Sequence, residues 1–455
     1  MTEFEDTIVA ISTPPGRGGI GIVRLSGPAA RTIAEPLLKL RHPLAPAQAR
    51  FAEILDNTGE IPGTVLDEAV VTWFQKPHSY TSEDIVEIAA HGSPVLLDHL
   101  LRQCLAAGAR LAEPGEFTQR AFLSGRLDLT QAEAVNDLIE ATTLHQARIA
   151  AQQLGGSLSR QVNPIKQQLI ALIAALEAGI DFAEDDIDLL PTCEITEQIQ
   201  AIEAPLKTLE KTFTYGRIVR DGFTLAIVGR PNVGKSSIFN RLVERDRAIV
   251  TATPGTTRDL VTERVSLEGV PVELIDTAGL RESTDEAESI GIAKSREAMA
   301  EADVVLVVLD ATAPIHQEDE ATIATLATRP FLVVVNKQDL APTAHRLKSD
   351  IYSVLETSAR TGTGVPELRR AILSLLIGEA PIVETALLTN LRQQRAVSAA
   401  LAALGRTQKA AAATIPHEII LLELYEALQA LDAMTGTTTS DDILNLIFSK
   451  FCIGK

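Results

Sequence analysis

The chain has 455 residues, 45% of them hydrophobic and 4% aromatic, with a formal charge of −19. That length exceeds one compact core and, at roughly 150 residues per domain, points to about three domains. The acidity excludes a protein that meets nucleic acid over its whole surface, so such a partner needs a local basic patch or another subunit.

Three scattered cysteines, Cys104, Cys193 and Cys452, form neither a disulfide framework nor a zinc spacing and suit a reducing cytoplasm. The first residues are acidic where a secretion signal is basic. No apolar run approaches the ~20 residues of a membrane span. The expectation is a cytoplasmic protein with no membrane association.

From 1 to 118, short apolar runs alternate with Gly/Pro turns. Residues 7–11, 21–24, 69–74 and 85–89 predict strands, and 94–108 a helix ended by its glycine. Gly16 to Gly21 match G-x-G-x-x-G in form, but 22–25 continue as a strand where a dinucleotide fingerprint must open a helix. A glycine-rich hairpin is the better reading. Residues 119–221 change to helical spacing, with helices expected over 130–154, 164–178 and 194–213.

Between 222 and 379, strands at 223–228, 272–275, 303–309, 331–335 and 353–355 alternate with helices, which predicts a parallel sheet covered on both faces. Residues 380–455 are helical again, and the apolar run 443–451 leads to Cys452 as a packed helix delivering its end to a site. The last four residues, Cys452-Ile453-Gly454-Lys455, imitate a prenylation box, but Gly454 is not aliphatic and Lys455 is not a usual last residue, which excludes lipidation. Two helical stretches flanking an α/β unit read most economically as one helical domain interrupted by an insertion, since insertions enter where chain ends lie close. Two separate helical domains are the alternative.

The inserted region carries the strongest chemical signal. Gly229-Arg230-Pro231-Asn232-Val233-Gly234-Lys235-Ser236, followed by Ser237, fits G-x-x-x-x-G-K-[ST] between a strand and a helix. Its backbone amides face phosphates, Lys235 meets the β/γ-phosphates and Ser236 ligates Mg²⁺. Asp276-Thr277-Ala278-Gly279 follows a strand, as a carboxylate near the metal and an amide near the γ-phosphate require. Asn336, Lys337 and Asp339 follow another. Asp339 can accept from N1–H and the exocyclic amine of guanine, which adenine does not offer. Ser358-Ala359 suits the loop whose backbone approaches the guanine O6. The order and strand-end placement imply a Ras-like GTP-binding and GTP-hydrolysing domain.

Leu280 stands where Ras-like proteins have a water-orienting glutamine, so hydrolysis is either lost or assigned to another residue. The acidic run Glu282, Asp285, Glu286 and Glu288 reads mostly as a solvated switch loop, with one catalytic role to fill. In 251–259, a threonine can complete the Mg²⁺ shell. Arg258, beside Asp259, is a structural residue at least as readily as an arginine finger.

Gly255-Thr256-Thr257-Arg258-Asp259, Asn232 in the phosphate loop and the terminal Phe451-Cys452-Ile453-Gly454-Lys455 together resemble the tRNA-modification GTPase family MnmE, also called TrmE. The resemblance spans the chain, including Thr7 to Ala10, Pro14 to Gly19 and Pro114-Gly115-Glu116-Phe117. It implies a potassium-activated GTPase, with K⁺ at Asn232, Thr251, Thr253 and Thr256. Thr257 becomes the second Mg²⁺ threonine, and Glu288 the residue acting through a water. It implies a folate-binding and dimerisation domain over 1–118, a helical domain over 119–221 and 380–455, and a GTPase domain over 222–379.

A tetrahydrofolate derivative, 5-formyl or methylene, would meet Arg24, Glu87, Arg126 and Lys455, with Glu83 as the competitor for the place of Glu87. Cys452 would be essential to the modification. The expected assembly is a homodimer that works with the flavoprotein MnmG on the wobble uridine of certain tRNAs. A ribosome-assembly GTPase, which would carry a KH-type domain after residue 380, is the rival reading. A folate-dependent methyltransferase with a regulatory GTPase domain is a second.

Overall fold

The structure is a computed structural model describing residues 5–57, 61–181, 191–243, 261–276, 300–340, 353–378, 386–413, 415–437, 444, 447–449 and 451–454. The chain divides into two compact units. One comprises Met1–Asn136, Gln153–Arg160 and Leu428–Lys455, and the other Asp137–Gln152 with Gln161–Ala427.

The first unit is built on seven strands, β1 (Ile8–Ile11), β2 (Gly18–Ser26), β3 (Leu38–Leu40), β4 (Ala49–Asp56), β5 (Thr64–Phe74), β6 (Ile85–Gly92) and β7 (Arg110–Leu111). They lie in the order β3-β4-β5-β6-β2-β1-β7. Pairing is antiparallel except for β1 with β7. β1 and β2 form the hairpin expected from the glycine-rich segment. Strands 38–40 and 49–56 were not expected. β4 carries alanines and charges among its apolar residues and buries only Ala52 and Ile54, so its periodic signal is weak.

Alternation along β2 sends Val23 and Leu25 into the core with Val86, Ile88, Leu97 and Leu100, the last two from helix α2 (Pro94–Ala106). Arg24 therefore faces the other side, and the β2–β6 register sets it opposite Glu87. α1 is the short helix Ala30–Ala34, and α3 is Glu116–Leu123.

The second unit holds a six-stranded sheet in the order β13-β12-β11-β8-β10-β9. Its strands are β8 (Phe223–Val228), β9 (Val261–Leu267), β10 (Val270–Asp276), β11 (Val304–Asp310), β12 (Phe331–Asn336) and β13 (Val354–Glu356). β8, β10, β11, β12 and β13 pair in parallel, while β9 runs antiparallel to β10. The expectation of a parallel sheet therefore needs one correction at its edge. β9 reads Val-Thr-Glu-Arg-Val-Ser-Leu, too polar to announce itself as a parallel core strand. Ile238, Leu242, Leu368 and Ile372 cover one face of the sheet, while Ala302 and Leu326 pack on Ala226, Val228 and Val305 of the other.

The helix expected over 130–154 is two, α4 (Leu129–Glu140) and α5 (Leu144–Leu154). α6 runs Ser157–Asp181 with Pro164 inside it. The helix expected over 194–213 is α7 (Thr192–Lys211), and a further helix, α8 (Phe213–Asp221), follows it. α7 packs against Leu391–Ala412, a helix from beyond the sheet, and Ser398 Oγ donates to Glu210 of α7. Gly216 of α8 lies so close to the returning chain that a Cβ there would stand 2.2 Å from the Leu388 carbonyl. The chain leaves the helices and returns to them at neighbouring points, so the α/β domain is an insertion in a helical domain.

Candidate functional site

β8 is apolar along its length because parallel neighbours bury it on both faces. At its end the chain turns through the phosphate loop into α9 (Lys235–Val243). The turn requires its glycines. Gly229 has φ +144°, and a Cβ there would meet the Val308 carbonyl at 2.3 Å; Gly234 has φ +97°, and a Cβ would meet Asn336 Nδ2 at 2.2 Å. Lys235 is 8% exposed and donates from Nζ to the carbonyls of Gly229 (2.7 Å) and Arg230 (2.8 Å), which holds its ammonium inside the loop. Ser236 and Ser237 are exposed at the helix start, where a phosphate-bound cation can reach them.

Asn232 adopts the left-handed φ of +64°, and Lys337 Nζ donates to its carbonyl at 2.7 Å. Lys337 also pairs with Asp310 at 2.6 Å, from the end of β11. Burial pushes the Asp310 carboxyl up, but hydrogen bonds from Lys337 and Thr312 outweigh it and hold the group below its ordinary value.

The base side is equally ordered. Asn336 is 2% exposed, and its amide bridges the Val233 carbonyl (3.1 Å) and the Ala359 N–H (2.9 Å). Ser358 Oγ donates to Asp339 Oδ1 at 2.7 Å, fixing the orientation of the carboxylate that the sequence motif assigns to the base. Asn232, Val233, Gly234, Lys235, Asn336, Lys337, Asp339, Ser358 and Ala359 thus converge at one edge of the sheet. Asp276 closes β10, on the same edge. Thr251, Thr253, Thr256, Thr257, Thr277, Ala278, Gly279, Leu280 and Glu288 lie outside the described residues, as does the Asp276 side chain. Asp310 escaped the sequence reading, although a carboxylate ending an apolar strand is a usable signal.

The first unit holds a second candidate site, a cavity of about 740 Å³ whose lining includes Phe74, Tyr80, Glu87 and Arg126. Arg126 stacks over Tyr80, 5.5 Å from the ring centre. Burial raises the Tyr80 hydroxyl above its ordinary pKa, opposed by a hydrogen bond with Thr118 and the charges of Arg24 and Arg126. Arg24 pairs with Glu87 at 2.7 Å. Glu83 has a different employment, accepting from Ser26 (2.8 Å) and from Arg120 (3.2 Å), a cation only 1% exposed. Of the two carboxylates, Glu87 is the one that lines the cavity.

The C-terminal chain docks onto this same unit. Leu444, Phe448 and Phe451 pack with Leu129 and Ala132, and Ile453 bridges to Pro114. Ser12 Oγ donates to the Gly454 carbonyl at 3.0 Å, and the Arg24 guanidinium approaches it at 3.5 Å. Gly115 leaves room for the tail, since a Cβ there would meet the Phe448 carbonyl at 2.7 Å. Cys452 is exposed, two residues from the carbonyl that Ser12 and Arg24 hold. Lys455 lies outside the described residues. Ser12 and Gly115 carry no sequence signal for this role, because their partners stand more than 300 positions away.

Residues 7–126 match the family model described as the GTP-binding protein TrmE N-terminus, and residues 129–452 match the MnmE helical domain. This chain belongs to the MnmE family. A tRNA modification GTPase MnmE of Koribacter versatilis is 59% identical, over 99% of this chain and 100% of that protein. Proteins of the same name from Aquifex aeolicus and Acetivibrio thermocellus are 42% and 40% identical, each over 99% of this chain, and 100% and 99% of their own lengths. The helical match runs across the inserted sheet, in keeping with the packing of α7 on Leu391–Ala412. Among the described residues, no helix is long and apolar enough to cross a membrane.

Proposed function

We propose that this protein is a GTP hydrolase of tRNA modification that is activated by potassium. With the flavoprotein MnmG, it adds a carboxymethylaminomethyl or aminomethyl group to C5 of the wobble uridine (U34) of certain tRNAs. The observation that carries this reading is the docking of the tail bearing Cys452 on the unit whose cavity is lined by Glu87 and Arg126. A methylene-tetrahydrofolate bound there would supply the one-carbon unit. Glu87 can accept from pterin donors, while Arg126 and Arg24, with Lys455, suit the anionic glutamate tail. Cys452, exposed two residues before the Gly454 carbonyl that Arg24 approaches, is the residue on which modification would depend.

In the inserted domain, Lys235 and the loop amides hold phosphates, Ser236 and Thr257 are the Mg²⁺ ligands, and Asp339 with Ala359 reads guanine. K⁺ would supply the positive charge that an arginine finger provides elsewhere, and its ligands in this reading are Asn232, Thr251, Thr253 and Thr256. Glu288 holds the hydrolytic water through a second water. Nucleotide turnover drives conformational change in a homodimer, and the carbon chemistry stays at the folate site. The chain's charge of −19 fits a complex in which the partner provides much of the tRNA surface. After residue 386 the chain forms the helices Leu391–Ala412 and His417–Thr435, where a KH-type ribosome-assembly factor would need a sheet.

Nucleoside analysis of tRNA from a strain lacking the gene is the deciding test. The expected result is loss of the C5 group at the wobble uridine, and normal wobble uridines defeat the reading. Equal GTP turnover in Na⁺ and K⁺ would remove the potassium assignment alone.

A further inference from the structure

One side chain ties the phosphate helix to the loop that meets the base. Arg241, in the last turn of α9, donates from Nε to the Ala359 carbonyl and from a terminal nitrogen to the Arg360 carbonyl, each at 2.6 Å. Its own backbone is held in turn, because Arg369 donates to the carbonyls of Leu242 (3.0 Å) and Arg241 (3.3 Å). The turn it grips is fixed on the far side as well. Ser358 N–H donates to the Thr363 carbonyl, Gly362 N–H to the Ser358 carbonyl, and Ala359 N–H to Asn336 Oδ1 (2.9, 2.8 and 2.9 Å). A guanidinium is a planar fork with its donors in fixed directions, and spanning two successive carbonyls it restrains two peptide planes at once.

We propose that Arg241 is a positioning residue for guanine specificity, holding the 358–361 turn whose backbone approaches the 6-oxo group of the base. It does so from the helix whose first turn carries Lys235 and Ser236, so base and phosphate recognition move as one piece. The inference rests on the guanine-nucleotide reading of the site.

The test is competition of GDP, IDP and ADP against a fluorescent GDP analogue in the full-length protein, comparing the wild type with Arg241→Gln and Arg241→Lys. Thermal unfolding of each variant reports its fold. GDP and IDP share the 6-oxo group, and ADP lacks it. Arg241→Gln is expected to weaken GDP and IDP together by about tenfold, the size of a lost charge-assisted hydrogen bond, while ADP binding does not fall. Arg241→Lys, which keeps the charge and loses the rigid fork, is expected to fall between Gln and wild type. An unchanged preference for GDP over ADP in the folded Gln variant overturns the inference. So does an equal loss for all three nucleotides, which is the signature of general destabilisation. If the wild type itself does not prefer GDP to ADP, the guanine reading fails and the inference with it. A normal wild type with an indifferent variant sinks the inference alone.

Discussion

In the second unit, each described residue of the nucleotide site stands at the carboxyl end of a parallel strand, in the turn that follows it, or in the first turn of the helix that the turn opens. Val228 leads to the phosphate loop, Asp310 ends β11, Asn336 ends β12, and Ser358 lies two residues past β13. The cavity of the first unit and its surroundings draw on separated parts of the chain. Glu87 and Arg126 line the cavity from β6 and from beyond α3, Arg24 meets Glu87 across two antiparallel strands, and the Gly454 carbonyl reaches Arg24 from 430 positions away. A parallel sheet brings its strand ends to one edge by topology, so short contiguous motifs suffice there. An antiparallel sheet with a docked tail makes a site only after register and packing are set. The nucleotide site should therefore yield to single local substitutions, and the cavity to substitutions remote from it.

The largest expected effect is local. Lys235→Ala removes the ammonium from the phosphate loop, and GTP affinity measured by calorimetry is expected to fall at least about a hundredfold. A smaller loss would mean that the loop amides alone carry phosphate binding.

Next comes the remote counterpart. Gly115→Val places side-chain atoms against the Phe448 carbonyl and Phe451, so the tail is expected to undock. Accessibility of the Cys452 thiol to a labelling reagent should change, with modification lost and GTP hydrolysis in K⁺ largely retained. If hydrolysis and modification fall together, the two sites are less separable than their construction suggests.

Asp310→Asn is expected to cost about tenfold in nucleotide affinity, because Lys337 loses the carboxylate that holds it over Asn232. An unchanged dissociation constant would show that the Asn232 carbonyl alone positions Lys337.

The smallest effect is a pH dependence confined to the first unit. Burial raises Asp6 and Glu116, but hydrogen bonds and charges from Arg110 and Arg120 prevail, leaving both below their ordinary values of 3.8 and 4.5. Groups with depressed folded pKa values add stability that is complete above those ordinary values and is lost as pH falls through the folded ones. Unfolding followed by the single tryptophan, Trp73 in β5, should therefore become easier below about pH 4.5, and less so in Arg120→Met. Identical acid profiles for the two proteins would refute the assignment to this cluster.

Sequence reading reached much of this because strand-end motifs need no distant partner. The span of β8 is the one expected, since a continuous apolar run bounded by glycines leaves little choice. β9 was missed because an edge strand can be half polar, and the break between α4 and α5 because the helical spacing carries across it. Asp310 was legible and overlooked. Ser12, Gly115 and Arg241 were not legible, since each acts on a backbone atom whose place depends on the fold.

By itself, the sequence determined the order of the domains, the guanine-nucleotide motifs and the membership that those motifs and the two chain ends announce. These are contiguous patterns, and local chemistry dictates them. Only the tertiary structure decided that Glu87 faces the cavity while Glu83 turns to Arg120, that the tail lies on Ser12 and Pro114, and that one arginine joins the phosphate helix to the base loop. Those outcomes depend on strand register and on which surfaces pack together, and both are settled by the burial of the whole core.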